Sequence, residues 1–129
     1  MDIKSKAVLP TSRLELRDGN DELIPGAAAN LYGPGSKRHA DATARQQNRL
    51  IDSLKRKGKT EKSAEQQRAE SAEFLADITG SFEGVEYDTL TDRALALAVY
   101  SDITIGFIAD QVAEHIRSWS NFTQPSTKS

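Results

Sequence analysis

The stretch Ser36-Lys-Arg-His-Ala-Asp-Ala-Thr-Ala-Arg-Gln-Gln-Asn-Arg-Leu-Ile-Asp-Ser-Leu-Lys-Arg-Lys-Gly58 decides how the rest of this chain is read. Between its ends lies neither glycine nor proline. Ser36 is a good N-cap, and Gly58 suits the position just past a C-terminus, where the backbone turns left-handed. The spacing therefore predicts a helix over residues 37–57. Its apolar residues Ala40, Ala44, Leu50, Ile51 and Leu54 fall near one face and form only a narrow seam, so most of the circumference is expected to meet water or a partner.

Downstream, Ser63-Ala-Glu-Gln66 has the spacing of a capping box, and Ala72, Leu75 and Ile78 give an apolar stripe that Gly80 ends. The two segments read as a helical hairpin over 36–79, linked at Gly58-Lys59. Residues 81–90, with Phe82, Val85 and Tyr87 around Gly84, read as a packed loop or short extended piece. Thr91-Asp92 caps a short helix over Ala94–Tyr100, and a last helix starts at Asp102. There Ile105, Ile108, Val112, Ile116 and Trp119 succeed one another at spacings of three and four, the strongest periodicity in the chain.

Upstream, Leu14 and Leu16 alternate with charged neighbours in a strand period, Asp18-Gly-Asn-Asp21 supplies a turn, and Glu22-Leu-Ile24 returns. Pro25-Gly26 and Gly33-Pro-Gly35 punctuate the next section, leaving Ala27–Tyr32 as a third short strand or irregular chain. The expected fold is mainly α: about four helices with a small N-terminal β-hairpin. It forms a single domain over 1–123, with a β element at 12–32, the helical hairpin, C-terminal helices at 91–120 and a disordered tail at 124–129.

Composition narrows the function. The 129 residues carry a formal charge of −2 and no cysteine, which removes disulfides, thiolate metal sites and thiol nucleophiles. The start lacks the apolar core of a signal peptide and no run is long enough to cross a membrane, so a soluble intracellular protein is expected. Of the large aliphatic and phenylalanine residues, only Leu50, Ile51 and Leu54 lie in residues 36–73, a section whose net charge is +4, against −5 for residues 74–129. Basic arm and acidic body are thus separate, and one copy's arm could meet the next copy's body in a heterologous contact.

Catalytic signals are weak. Gly33-Pro-Gly-Ser-Lys37 precedes a helix, but the order of Ser and Lys does not match a phosphate loop. Neither His39 with Asp41 nor His115 with Glu114 shares a helix face, so no metal-ligand set forms, and no serine sits in a nucleophile elbow. No catalytic, cofactor or metal residue is assigned. The run Lys55-Arg-Lys-Gly-Lys59, with Arg45 and Arg49 upstream, could neutralise phosphates, which gives a small nucleic-acid-binding protein using 37–59 as the alternative reading. Against it, no aromatic residue between Tyr32 and Phe74 is placed to stack bases.

The order of several short motifs does carry information. Leu14-Glu-Leu-Arg-Asp-Gly19 comes first, then Tyr32-Gly-Pro-Gly-Ser36 opening the charged helix, then Phe82-Glu-Gly-Val-Glu-Tyr87. Ala98-Val-Tyr-Ser-Asp102 leads into Gly106-Phe-Ile-Ala-Asp-Gln-Val112, and Trp119-Ser-Asn-Phe122 closes the series. Over nearly the whole chain this resembles the tail assembly chaperones of long-tailed, lambda-like bacteriophages. The resemblance implies a non-enzymatic protein of the host cytoplasm, absent from the mature virion. Such a protein coats the tape measure protein, brings tail tube subunits to it and multimerises head to tail. Asn121-Phe122 before a Ser/Thr tail also resembles members that have a longer, frameshifted form. Contact residues expected on this reading are Arg45, Arg49, Leu50, Ile51 and Leu54 on the thin helix, and Phe82, Tyr87, Tyr100, Phe107 and Trp119 in the apolar part.

Overall fold

The computed structural model describes residues 2–57 and 63–124. Two antiparallel strands, β1 (Thr11–Arg17) and β2 (Leu23–Tyr32), precede α1 (Lys37–Lys57) and α2 (Ala64–Asp77). Then come β3 (Thr79–Glu83), α3 (Asp92–Ser101) and α4 (Gly106–Arg117). Short 3-10 turns cover Ile3–Lys6, Ile103–Ile105 and Trp119–Phe122.

The β-hairpin grows into a sheet, which corrects the mainly α expectation to mainly α plus β. β3, drawn from beyond the helical hairpin, pairs antiparallel with β2, so the order is β1-β2-β3 with β2 in the centre. Leu14, Ala29 and Phe82 lie abreast on the inner face, while Arg13, Asn30 and Ser81 lie abreast on the outer one. Above them Arg13 holds Glu83 through paired hydrogen bonds of 3.1 and 3.2 Å, and Asn30 Nδ2 donates to the same carboxylate. These bonds, Arg13's first, keep the Glu83 carboxyl below the usual carboxylate range.

β2 continues through Pro25-Gly26 as one strand rather than stopping there. The pairing jumps from Arg17↔Leu23 to Glu15↔Ala28, and Pro25 and Gly26 fall in that bulge, where an imide nitrogen that cannot donate costs least. The hairpin turn is closed by Asp18, whose Oδ1 accepts from the backbone of Asn20 and Glu22. At the far edge of β1, the Gln111 side chain accepts from Arg17 N and donates to Arg17 O, copying a neighbouring strand.

The first two helices begin where their caps predict, whereas α3 starts at Asp92 and the Thr91 side chain makes no capping bond. Ser36 Oγ accepts from His39 N, and Ser63 and Gln66 make a complete capping box. α2, however, ends at Asp77, before Gly80, which lies within β3. The last helix starts at Gly106, after a 3-10 turn and an 82° bend that separates it from α3. Ile108, Val112 and Ile116 enter the core as expected, but α4 stops at Arg117 and leaves Trp119 57% exposed. One core cluster joins Leu16 and Leu31 of the sheet to Ile78, Val99, Val112 and Phe122. The expected linker at Gly58-Lys59 and the tail beyond Gln124 lie outside the described residues.

Candidate partner-binding surface

Helix α1 has two faces of different chemistry, and the apolar one is not the face that packs. Turned toward the body are His39, Ala42, Thr43, Gln46, Arg49 and Ser53, of which Ala42 alone is a fully buried apolar residue. Ala40, Ala44 and Gln47 are exposed, as are Leu50, Ile51 and Leu54 at 36%, 48% and 42%. The narrow apolar seam therefore lies about a third of a turn round from the packed face, in solvent. Gln47 interrupts it and hides it as a separate surface; the spacing 40, 44, 47, 51, 54, alternating four and three, is the signal that reveals it.

Polar contacts hold α1 to the body instead. Buried Asp77, at the end of α2, receives Arg45 of α1 at 3.1 Å and Arg93 of α3 at 3.1 Å. Arg38 Nε donates to the Asp77 carbonyl at 2.8 Å, and its guanidinium lies over the Tyr32 ring. Arg49 approaches Glu73 at 3.7 Å, too far for a hydrogen bond, and its buried Nε and Nη2 have no hydrogen-bond partner among the described residues. His39 stands edge-on to Phe74, where burial pushes its pKa down. We expect Asp77→Asn to lower stability by about 1–2 kcal/mol, less than the ~3–5 of a fully buried pair because both guanidiniums are half exposed. Chemical denaturation measures that loss, and amide exchange should quicken over residues 37–57.

The expected contact residues therefore divide. Arg45 and Arg49 are turned inward into ion pairs, whereas Lys55, nearer the far end of α1, is exposed. Tyr100 is buried and bonded to Thr79 Oγ1 at 2.7 Å, with burial pushing its hydroxyl pKa up, so it belongs to the core. Phe82, Tyr87 and Phe107 are half-buried against the core, and Tyr87 is further tied to Asp102 at 2.8 Å. Leu50, Ile51, Leu54 and Trp119 remain open to solvent.

A cleft of about 630 Å³ lies beside β3, with Arg38, Asp77, Ser81 and Arg93 among its lining residues. Asp77 is already committed there to two cations. Among the described residues, no group of three or more His, Cys, Asp or Glu side chains could hold a metal ion, and no single helix is long and apolar enough to cross a membrane. Compared with known protein families, curated proteins and solved structures, the chain matches none of them.

Proposed function

We propose that this chain is a bacteriophage tail assembly chaperone. It binds the tape measure protein and keeps it soluble, recruits tail tube subunits and associates head to tail with further copies. The observation that carries the reading is the seam Ala40, Ala44, Gln47, Ile51 and Leu54, an uncovered helix face at the spacing by which one helix packs along another. A long helical partner is the kind of ligand such a face takes. The order of motifs from Leu14 to Phe122 supplies the identity of that partner by resemblance. Arg45 and Arg49, engaged with Asp77 and Glu73, weaken the nucleic-acid alternative, since phosphate contacts need free cations.

The test is co-expression with the tape measure protein of the same phage. Wild-type chain should hold it in the soluble fraction, and the exposed-seam variant Ile51→Asp/Leu54→Asp should lose at least ~90% of that soluble material. Charges in place of two apolar side chains that a bound partner would cover cost several kcal/mol of binding. The variant's own melting temperature should stay within a few degrees, because neither side chain packs on the body. A tape measure protein that stays insoluble with wild-type chain would sink the reading.

A further inference from the structure

Five large apolar side chains, Ile24, Val85, Tyr87, Ile105 and Phe107, are only half-buried and line an open hollow of about 230 Å³ over the buried residues Leu16, Val99 and Ile108. The hollow lies between the β2 bulge, the chain after β3 and the start of α4. It is smaller than the roughly 300–1,000 Å³ of small-molecule pockets. Its one charged lining residue, Glu86, is exposed, and the Tyr87 hydroxyl is spent on Asp102, so what the hollow offers is apolar fit. Such a hollow takes an apolar side chain.

The chain carries a matching side chain at the end where it cannot use it itself. Trp119 is the one tryptophan of the sequence, and it stands exposed just past α4, beside Gly35. α4 runs from the hollow to Trp119 and is about 18 Å long. The indole therefore reaches only the hollow of another copy. Charges at the two ends agree with that pairing. The segments around Trp119 bring Lys4, Lys6 and Arg117, which outnumber Asp2 and Glu114. None of those three cations has an ion-pair partner among the described residues. At the hollow, Asp18, Asp21, Glu22 and Glu86 outnumber Arg17, and the turn that holds the first three lies against Phe107 through Gly19. Opposite charge steers one end to the other.

We propose that Trp119 of one copy inserts into the hollow between Ile24, Val85, Tyr87, Ile105 and Phe107 of the next. The two surfaces differ, so the contact is heterologous: a copy that gives its Trp119 still offers its hollow, and the row can grow at both ends. This names the surface of the head-to-tail association. That the row forms on a tape measure protein rests on the chaperone reading, whereas the contact itself does not. Built on one aromatic anchor, it is small and weak, and it shows at high concentration.

Purified chain with no phage partner tests it, and the lone tryptophan is its own reporter. As concentration rises towards millimolar, sedimentation should show growing species, while Trp119 emission moves to shorter wavelength and acrylamide quenches it less. Trp119→Ala, at an exposed position, should weaken association about thirtyfold or more. Ile105→Lys, which fills the hollow and sets a cation at its mouth, should do the same. Should that variant melt early, Glu86→Lys, at an exposed position of the same wall, takes its place with about a tenfold loss. Each variant keeps the surface the other lacks, so mixing the Trp119 variant with the hollow variant should give one-to-one dimers that neither forms alone. A mixture that stays monomeric, or association that leaves Trp119 emission unchanged, would overturn the proposal. Wild-type chain that stays monomeric at millimolar concentration overturns it as well and leaves the hollow to a different occupant. Co-expression with the tape measure protein is read separately: failure there with this contact intact counts against the chaperone reading alone.

Discussion

Phe122→Ala is expected to remove about 3–5 kcal/mol of unfolding free energy, the largest effect of any single substitution proposed for this protein. Phe122 is 1% exposed, the largest fully buried side chain among the described residues, although it sits in a short turn near the C-terminal end. Its ring contacts His115 with centroids 5.6 Å apart. It also lies so close to Gly33 that a side chain there would strike it. Its carbonyl accepts from Leu9 N at 2.7 Å, so the residue anchors both the strand entry and the helix exit. A domain of this size has a total stability of roughly 5–15 kcal/mol, and the truncated variant should melt about 10–20 °C lower. Phe122→Leu, which keeps most of the volume, should lose about 1–2 kcal/mol. Urea denaturation of the pair checks this, and a loss under ~1 kcal/mol for the alanine variant would show that the turn is not part of the core.

The second large effect is expected at Gly84, which follows β3. Its φ is +64°, and a Cβ there would land on the carbonyl oxygen of Gly26, in the bulge of β2. Gly26 has a φ of +77°, but nothing lies within 4 Å of the place a Cβ would take on it, which makes it the natural control. Gly26→Ala carries only the left-handed backbone cost of about 1 kcal/mol. Gly84→Ala adds a collision with backbone that no rotamer change relieves, for a total of about 2–4 kcal/mol. Equal losses at the two positions, measured by denaturation, would mean that the turns separate easily.

Those two glycines also show why the sheet is only half legible in the sequence. The hairpin is readable because its signals are local: alternation at Leu14 and Leu16, then an Asp-rich turn. Thr79-Gly-Ser-Phe-Glu has almost none of the usual strand character. It becomes β3 because β2 offers it a ladder, a tertiary cause invisible in five residues. Gly80 resembles a helix stop for the same reason, and Pro25-Gly26 resembles a strand end because a bulge cannot be told from a turn without its partner.

For the candidate surface, the apolar stripe of α1 is visible in the spacing, but its direction is not. Apolar residues on a helix normally mark the packed side, and here the packed side is carried by Ala42, Gln46 and Arg49, with Arg45 reaching in from its edge to Asp77. The deciding residue is Asp77, buried at the end of another helix, whose need for cations turns α1 so that its charges face in. Nothing in the spacing of residues 37–57 records that demand.

Leu9 bonds to Phe122, Gln124 Nε2 donates to Ala7 O, and Gly35, just before α1, lies against Val8 and Trp119. The first and last described segments thus meet at the root of the arm, about 30 Å from its tip along a 21-residue helix. Anything joined at that root would leave the exposed face of α1 untouched, because Ile51 and Leu54 lie toward the other end of the helix.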